Sequence, residues 1–480
     1  MSRLSHLVSP SNRRAFLKTA GLAGLGICVA VDAGQAQAPA ADIWASVDPI
    51  LRRIVPPVFP ERTFDVTKFG AIAGGTEDCS DAFRRAIATC RAAGGGRVVV
   101  PKGRFLTGGI RLGSGVNLHV EDGATIAFRT DPSAYLPLVL TRFESTELMN
   151  YSPFIYALDE RDVAITGAGT LDGQAHEGNW WAWRAPVPGG VVRQVAARTR
   201  LLDLAARRVP VSQRVFGEGS YLRPNFIQLY RCRNVLIEGV TIVNSPMWEI
   251  NPVLCTNVTI RGVNVRSLGP NNDGCDPESC RDVLIEGCTF ATGDDCIALK
   301  SGRNEDGRRI GAPIENVIIR NCQMRDGHGG VVIGSEISGG ARNIFAEDCL
   351  MDSPRLDRVL RFKTNSMRGG TIERVAMRRV TVGEVAEGII VADFFYEEGD
   401  AGRFTPILRE VDVRDITSRK SKYAFLLRGY RRSPVSDIKV TDCTFDGVEH
   451  DDVLDEVRDL QLTNVRVNGR LRNERITHQT

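Results

Sequence analysis

The sequence predicts an all-β chain wound into a right-handed parallel β-helix, a solenoid with an N-terminal capping helix and one long, partly helical insert. Two observations carry that expectation: a short β template that recurs along the chain, and cysteines that recur at fixed places within it. "NVLIEGVTI" (234–242), "NVTIRGVNV" (257–265), "DVLIEGCTF" (282–290), "NVIIRNCQM" (316–324), "NIFAEDCLM" (343–351) and "RVAMRRVTV" (374–382) share one plan. An anchor residue before Val or its equivalent opens a run of alternating apolar residues; a polar or glycine bend and a second short β run follow. Weaker copies stand at "DVAITGAGTL" (162–171), "EVDVRDITS" (410–418), "DIKVTDCTF" (437–445) and "DLQLTNVRV" (459–467). Anchors roughly 22–36 residues apart fall in the range of solenoids, and the units leave no room for a helix. Coils of this kind stack at about the 4.8 Å spacing of paired strands.

The N-terminus reads as something other than fold. "SNRRAFLKTAGLAGLGICVAVDAGQAQAPA" pairs Arg13 with Arg14, then runs through Phe16, Leu17 and Lys18 into a short apolar stretch and small residues. That is the pattern of a twin-arginine export signal over 1–40, with periplasmic or secreted localisation expected. The apolar run is too short and glycine-rich to span a bilayer, so no membrane insertion is expected after its removal. Of 61 basic and 58 acidic residues, removal of Arg3, Arg13, Arg14, Lys18 and Asp32 leaves 57 of each. A balanced chain gives no reason to expect nucleic acid as a partner. Residues 41–480 read as a single domain, expected to act as a monomer.

The helix signal at "DCSDAFRRAIATCRAAGGG" (78–96) places Ala82, Phe83, Ala86, Ile87 and Cys90 on one apolar face and stops at three glycines. Just upstream of the first coils, it suits a cap over the open end of the stack. The insert at about 179–222 contains "NWWAWR", a helical "VVRQVAARTRLLDLAARR" and "GEGSYLRP", and is too long for an ordinary connection. Cys232, Cys255, Cys280, Cys288, Cys322, Cys349 and Cys443 hold repeat positions, which reads as buried packing rather than disulfides. Cys79 and Cys90 are the pair best placed by sequence for a bond.

Chemistry enters with "ATGDDCIALKSG" (291–302), where Asp294 and Asp295 stand side by side in an apolar segment. One coil earlier is "GPNNDGCDP" with Asn271, Asp273 and Asp276. One coil later is "DGHGGVVIG" with His328, and beyond it "VLRFKTNS" with Arg361 and Lys363. All follow a template strand at a comparable phase, which a solenoid converts into a column on one face. Crowded carboxylates raise the pKa of at least one of them, so that one carboxyl stays protonated as an acid while another activates water. Arg361 and Lys363, two apart on a strand, share a side, have no evident structural partner and suit an anionic sugar. Strict alternation would send Asp294 and Asp295 to opposite faces, so Gly293 must mark a bend. Asp276, Glu305 and Asp306 read as turn or surface acids. Trp180, Trp181 and Trp183 suit packing or a sugar subsite equally, whereas Trp248, one coil before Asn271, is placed to bind substrate.

"NND-G", "GDD", "GHGG" and "RFK", in this order, resemble the four signature motifs of the polygalacturonases, glycoside hydrolase family 28. "FDVTKFGAIAGGTEDCSDAF" and "GGGRVVVPKGRFLTGGIRL" are similar to that family's N-terminal region. The resemblance implies an inverting hydrolase of α-1,4-galacturonosyl bonds in pectin, with an acidic polysaccharide or oligogalacturonide as partner and no cofactor or metal. It implies Asp294 as general acid and Asp273 and Asp295 as holders of the attacking water. His328 would tune the acid, and Asn271, Arg361 and Lys363 would bind galacturonate. Such carboxylates are more crowded than the usual separation for inverting enzymes. Phe362 departs from the family's usual β-branched residue. The insert, just ahead of the column, suggests exo action. Rhamnogalacturonan and xylogalacturonan hydrolases, a calcium-dependent pectate lyase and a non-catalytic glycan-binding β-helix are the alternatives.

Overall fold

The computed structural model describes residues 42–184 and 192–479; the expected export signal at 1–40 and Val191 of the insert lie outside the described residues. The described chain is a right-handed parallel β-helix with three strand-bearing sides. Every template copy forms a coil. Arg233–Glu238, Thr256–Arg261, Arg281–Glu286, Ile314–Arg320 and Ala341–Glu347 stack on one side in parallel register. Val235, Val258, Val283, Val317, Ile344, Val375, Val411, Ile438 and Leu460 form one unbroken inward column, and each is buried. Two further coils, Gly96–Val100 with Gly103–Thr107 and Val116–Val120 with Ala124–Phe128, precede the first copy in the template set.

The anchor residue of the template owes its identity to a backbone constraint. Asp162, Asn234, Asn257, Asp282, Asn316 and Asn343 all have φ between 53° and 59°, a left-handed conformation that Asn and Asp tolerate better than other side chains. Their side chains then bond from coil to coil: Asn257 Nδ2 donates to Asn234 Oδ1 at 2.9 Å, and Asn343 Nδ2 to Asn316 Oδ1 at 2.9 Å. Turn geometry and stacking thus select the same residue.

The helix Ser80–Ala92 buries the expected five residues, Ala82, Phe83, Ala86, Ile87 and Cys90, against the first coils. The insert folds around the helix Val195–Ala206, whose Leu201 packs with Phe216 and Leu222 against Met247 and Trp248 of the solenoid. Phe143 and Leu148 join this cluster from an antiparallel hairpin, Val139–Phe143 with Thr146–Asn150, that the repeat pattern does not announce. A third side, carrying Ile297–Leu299, Val331–Gly334 and Arg358–Lys363, completes each coil and reaches the column of candidate residues. No helix among the described residues is long and apolar enough to cross a membrane.

All eleven cysteines from Cys79 to Cys443 are free and buried. Cys255 Sγ accepts from the Cys232 amide at 3.3 Å, and Cys280 Sγ from the Cys255 amide at 3.4 Å, as expected of stacked packing residues. The pairing of Cys79 with Cys90 is corrected. Eleven residues of helix separate them by roughly 16 Å, well beyond the ~7 Å limit for a disulfide. Thiol titration of the unfolded chain over residues 42–480 should therefore count eleven thiols, with no increase after reduction. A gain of two on reduction would reveal a bond.

Candidate active site

The column forms where each coil turns from its second side to its third. The strand Thr289–Thr292 ends at Gly293, Gly293 and Asp294 make a bend, and Ile297–Leu299 begins the next side. A side chain at 293 is excluded, since a Cβ there would stand 2.1 Å from the Gly269 carbonyl oxygen. The bend frees both aspartates from strand alternation. Asn271 and Asp273 sit on the coil below, and His328 on the coil above. Arg361 and Lys363 extend from the coil after that, with Arg361 beside Val332 and Lys363 beside Gly334.

The carboxylates are matched to cations in detail. Asp295 is fully buried; its Oδ2 accepts from Lys363 Nζ at 2.5 Å and its Oδ1 from Arg361 at 3.4 Å. Asp294, partly buried, accepts from His328 Nδ1 at 3.0 Å through Oδ1. Asp273 is buried with Oδ1 lacking any protein partner. Burial first, then the charges of Asp276 and Asp294, drive the Asp273 carboxyl far above its usual range. Burial also pushes Asp294 up, but the His328 hydrogen bond and the Lys363 charge outweigh it and bring Asp294 down to about 2. The expectation that crowding keeps a proton is met on Asp273 and Asp276, not on Asp294. His328 is raised in turn, chiefly by its hydrogen bond to Asp294.

Oxygens of Asp273, Asp294 and Asp295 lie within 4.8 Å of one another, close enough to ask whether they suit a divalent cation. They do not fit one. Lys363 and Arg361 on Asp295 and His328 on Asp294 already supply the positive charge that a calcium ion would bring to these carboxylates. The calcium-dependent lyase alternative loses its ligand set on this ground.

The column opens into a cavity of about 560 Å³ lined by Trp248, Asn271, Asp273, Asp294, His328, Arg361 and Lys363, with Asp295 beneath. A model of the "Glycosyl hydrolases family 28" matches residues 217–464, more than half of the chain. The chain belongs to glycosyl hydrolases family 28. It is similar to the hyperthermoactive exopolygalacturonase of Thermotoga maritima, at 44% identity and TM-score 0.87, over 91% of this chain and 98% of that one. A probable polygalacturonase of Vitis vinifera is 28% identical over 78% of this chain and 72% of its own length. The polygalacturonase of Erwinia carotovora, 20% identical with TM-score 0.59 over 88% of this chain and 97% of that one, shares the fold.

In this family 28 chain several expectations need revision. Trp248 borders the cavity but is only 3% exposed, and Lys300 Nζ lies over its ring at 4.8 Å, so it backs the site instead of offering a stacking face. Trp180, Trp181 and Trp183 do not line the cavity; Trp180 is core, and Trp183 packs edge-on against Tyr221. Asp276 is buried without a hydrogen-bond partner, its nearest cation Lys300 at 3.8 Å, and Asp306 is buried in an ion pair with Arg214. Neither is a surface acid. Lys363 is not free of partners either, since Asp295 is its structural counterion.

Sequence reading missed Lys300, Arg303, Glu336, Tyr396 and Glu397, which line the same cavity. Lys300 carried a usable signal: it stands in the quoted segment six residues after Asp294, just past the third-side strand Ile297–Leu299. Glu144 and Glu397 carried none, because they arrive on a hairpin and a loop outside the repeat.

The His328–Asp294 bond has a direct readout. Following the His328 ring by NMR against pH should give a midpoint above the usual value near 6.5, and Asp294→Asn should bring it down. The pair stabilises fully below the ordinary histidine pKa and fades as pH rises through the raised one. An unchanged midpoint in Asp294→Asn would show that the bond is not formed.

Proposed function

We propose that this pectin-degrading glycoside hydrolase cleaves α-1,4-galacturonosyl bonds of polygalacturonate from a chain end, with inversion at the anomeric carbon. The observation that carries the reading is one cavity in which Arg361 and Lys363 meet three carboxylates and an imidazole. Arg361 holds Asp295 only at 3.4 Å and keeps donors free for a uronate carboxylate, which a guanidinium can grip with two parallel bonds.

Substrate charge sets the acid. A bound uronate shares the field of Lys363, so its hold on Asp294 weakens while water is excluded around it. Both changes raise the Asp294 pKa. His328 then passes its Nδ1 proton along the 3.0 Å hydrogen bond, and Asp294 becomes the protonated acid. Asp294 gives that proton to the glycosidic oxygen as its bond to the anomeric carbon breaks. Water, held by Asp273, forms the new bond from the opposite face and gives its proton to Asp295, which the ion pair with Lys363 holds in place.

End-directed cleavage is supported by a wall across the groove. Arg184, Val192, Gln194, Val195 and Arg198 line the cavity from the insert. Arg198 bonds Glu144 of the hairpin at 2.6 Å, and Arg303 joins Glu144 at 3.1 Å to Glu397 at 2.9 Å. Insert, hairpin and the 394–404 loop are thereby tied together beside the carboxylates. The likeness to an exopolygalacturonase points the same way. The leader at 1–40 supports export by the twin-arginine route as part of this reading.

Asp294→Asn should lower turnover by about 10²–10⁴ while leaving folding and substrate binding in place, as loss of a general acid does. Near-normal turnover would remove Asp294 from that role. Early digests of polygalacturonate should contain mono- or digalacturonate with little fall in viscosity, and NMR of the first product should find the anomer opposite to the bond cleaved. A rapid viscosity drop with a ladder of long oligomers would show an open groove. Preferred release from rhamnogalacturonan or xylogalacturonan would move the chain to another activity of the family.

A further inference from the structure

Arg223 is a buried cation without a counterion. Its side chain is 1% exposed, and among the described residues it makes no ion pair with a carboxylate. One nitrogen donates to the carbonyls of Pro246 at 2.8 Å and Pro270 at 2.7 Å; another donates to Asn271 Oδ1 at 2.7 Å. Nε has no partner. Burial foremost, and then the neighbouring charge of Arg184, pull this guanidinium down to about 9. An isolated buried charge is costly, so its retention at the foot of the catalytic column calls for a reason.

The reason lies in what Arg223 fixes. Pro246 and Pro270 belong to the corners of two successive coils, "NSPMW" and "LGPNND", and Arg223 ends the insert at "SYLRP". It pins the insert to both corners at once. Its third bond settles an ambiguity that every asparagine carries. A guanidinium only donates, so it must face Oδ1, and the amide cannot flip. Asn271 sits with φ at 55° and lines the cavity, and its Nδ2 has no hydrogen-bond partner among the described residues.

We propose that Arg223 is a positioning residue that locks the Asn271 amide so that Nδ2 donates to an acceptor oxygen of the bound sugar, a role that rests on the hydrolase reading above. A lysine cannot replace it, because one ammonium cannot reach three carbonyl-type oxygens in the fixed fork that a guanidinium spans. Neither Arg223 nor its bond to Asn271 takes part in proton transfer, so binding should suffer more than turnover.

Asn271→Asp tests the pairing, because it keeps the bond to Arg223 while it replaces the Nδ2 donor with a charged oxygen. It should fold, raise the KM for polygalacturonate roughly tenfold or more, as loss of one good hydrogen bond does, and change kcat less. It should also raise Tm, since a carboxylate now neutralises Arg223, and that rise should vanish in an Arg223→Met background. Arg223→Met and Asn271→Ala should raise KM by similar factors, with the double variant no worse than either, because both remove the same oriented donor. A wild-type KM in Asn271→Asp, or additive losses in the double variant, would overturn the proposal. If wild type releases nothing from polygalacturonate, the substrate reading fails by itself. The Tm comparison of Asn271→Asp with and without Arg223 still decides the pairing, and the absence of an Arg223-dependent rise would overturn it.

Discussion

Parallel register, one residue opposite one residue for coil after coil, holds both the core and the column of candidate residues in place. Val235, Val258, Val283 and Val317 stack inward on one side because their anchors, Asn234, Asn257, Asp282 and Asn316, turn the chain at the same left-handed point. A slip of one residue would send every inward side chain outward. The same slip would scatter the site, since Asp273, Asp294, His328 and Lys363 meet only because four coils keep step. Packing and site geometry therefore share one constraint, and the Asx ladder that stabilises the stack also sets the reach of the site's charged groups.

Within that frame the site is a problem of charge placed where water is scarce. Asp295 is tolerable at zero exposure because Lys363 reaches it from two coils away. Breaking such a pair typically costs about 3–5 kcal/mol, so Lys363 belongs to the fold. Arg361, less tightly held, is the cation with capacity to spare. Lys300 plays the part of Lys363 one layer deeper. It pairs with Glu336 at 3.0 Å, lies 3.8 Å from Asp276 and rests on Trp248.

The repeat made the solenoid, its coils and its column legible, and the capping helix could be read to the residue from Ala82 to Cys90. Errors arose where a local rule was applied without its neighbours. Cys79 and Cys90 were paired by sequence context although the helix proposed between them already forbids it. Asp276 and Asp306 were read as surface acids because aspartate usually is one; the partners that permit burial, Lys300 and Arg214, come from other coils and from the insert. Crowding predicts that at least one carboxyl is raised, but which one depends on the histidine and lysine stacked above Asp294, which lower it and leave Asp273 and Asp276 raised. The hairpin at 139–150 and Glu397 stayed invisible because they sit outside the period that organised the reading.

The insert shows how a solenoid acquires specificity without disturbing its register. Its apolar side, Leu201 with Phe216 and Leu222, docks on Met247 and Trp248, residues that already back the site. Its charged side reaches across to Glu144 and Glu397 beside the cavity. Its last residues bring Arg223 beneath Asn271. One excursion from the repeat thus supplies an apolar dock, a set of ion pairs and a hydrogen bond to Asn271, and the last of these falls at the turn between two coils. At such a turn the backbone leaves the ladder, so it can accept outside hydrogen bonds without breaking strand pairing. Pro246 and Pro270 carry this logic in their carbonyls. Each stands at a corner where the carbonyl is free of strand pairing, and Arg223 takes both.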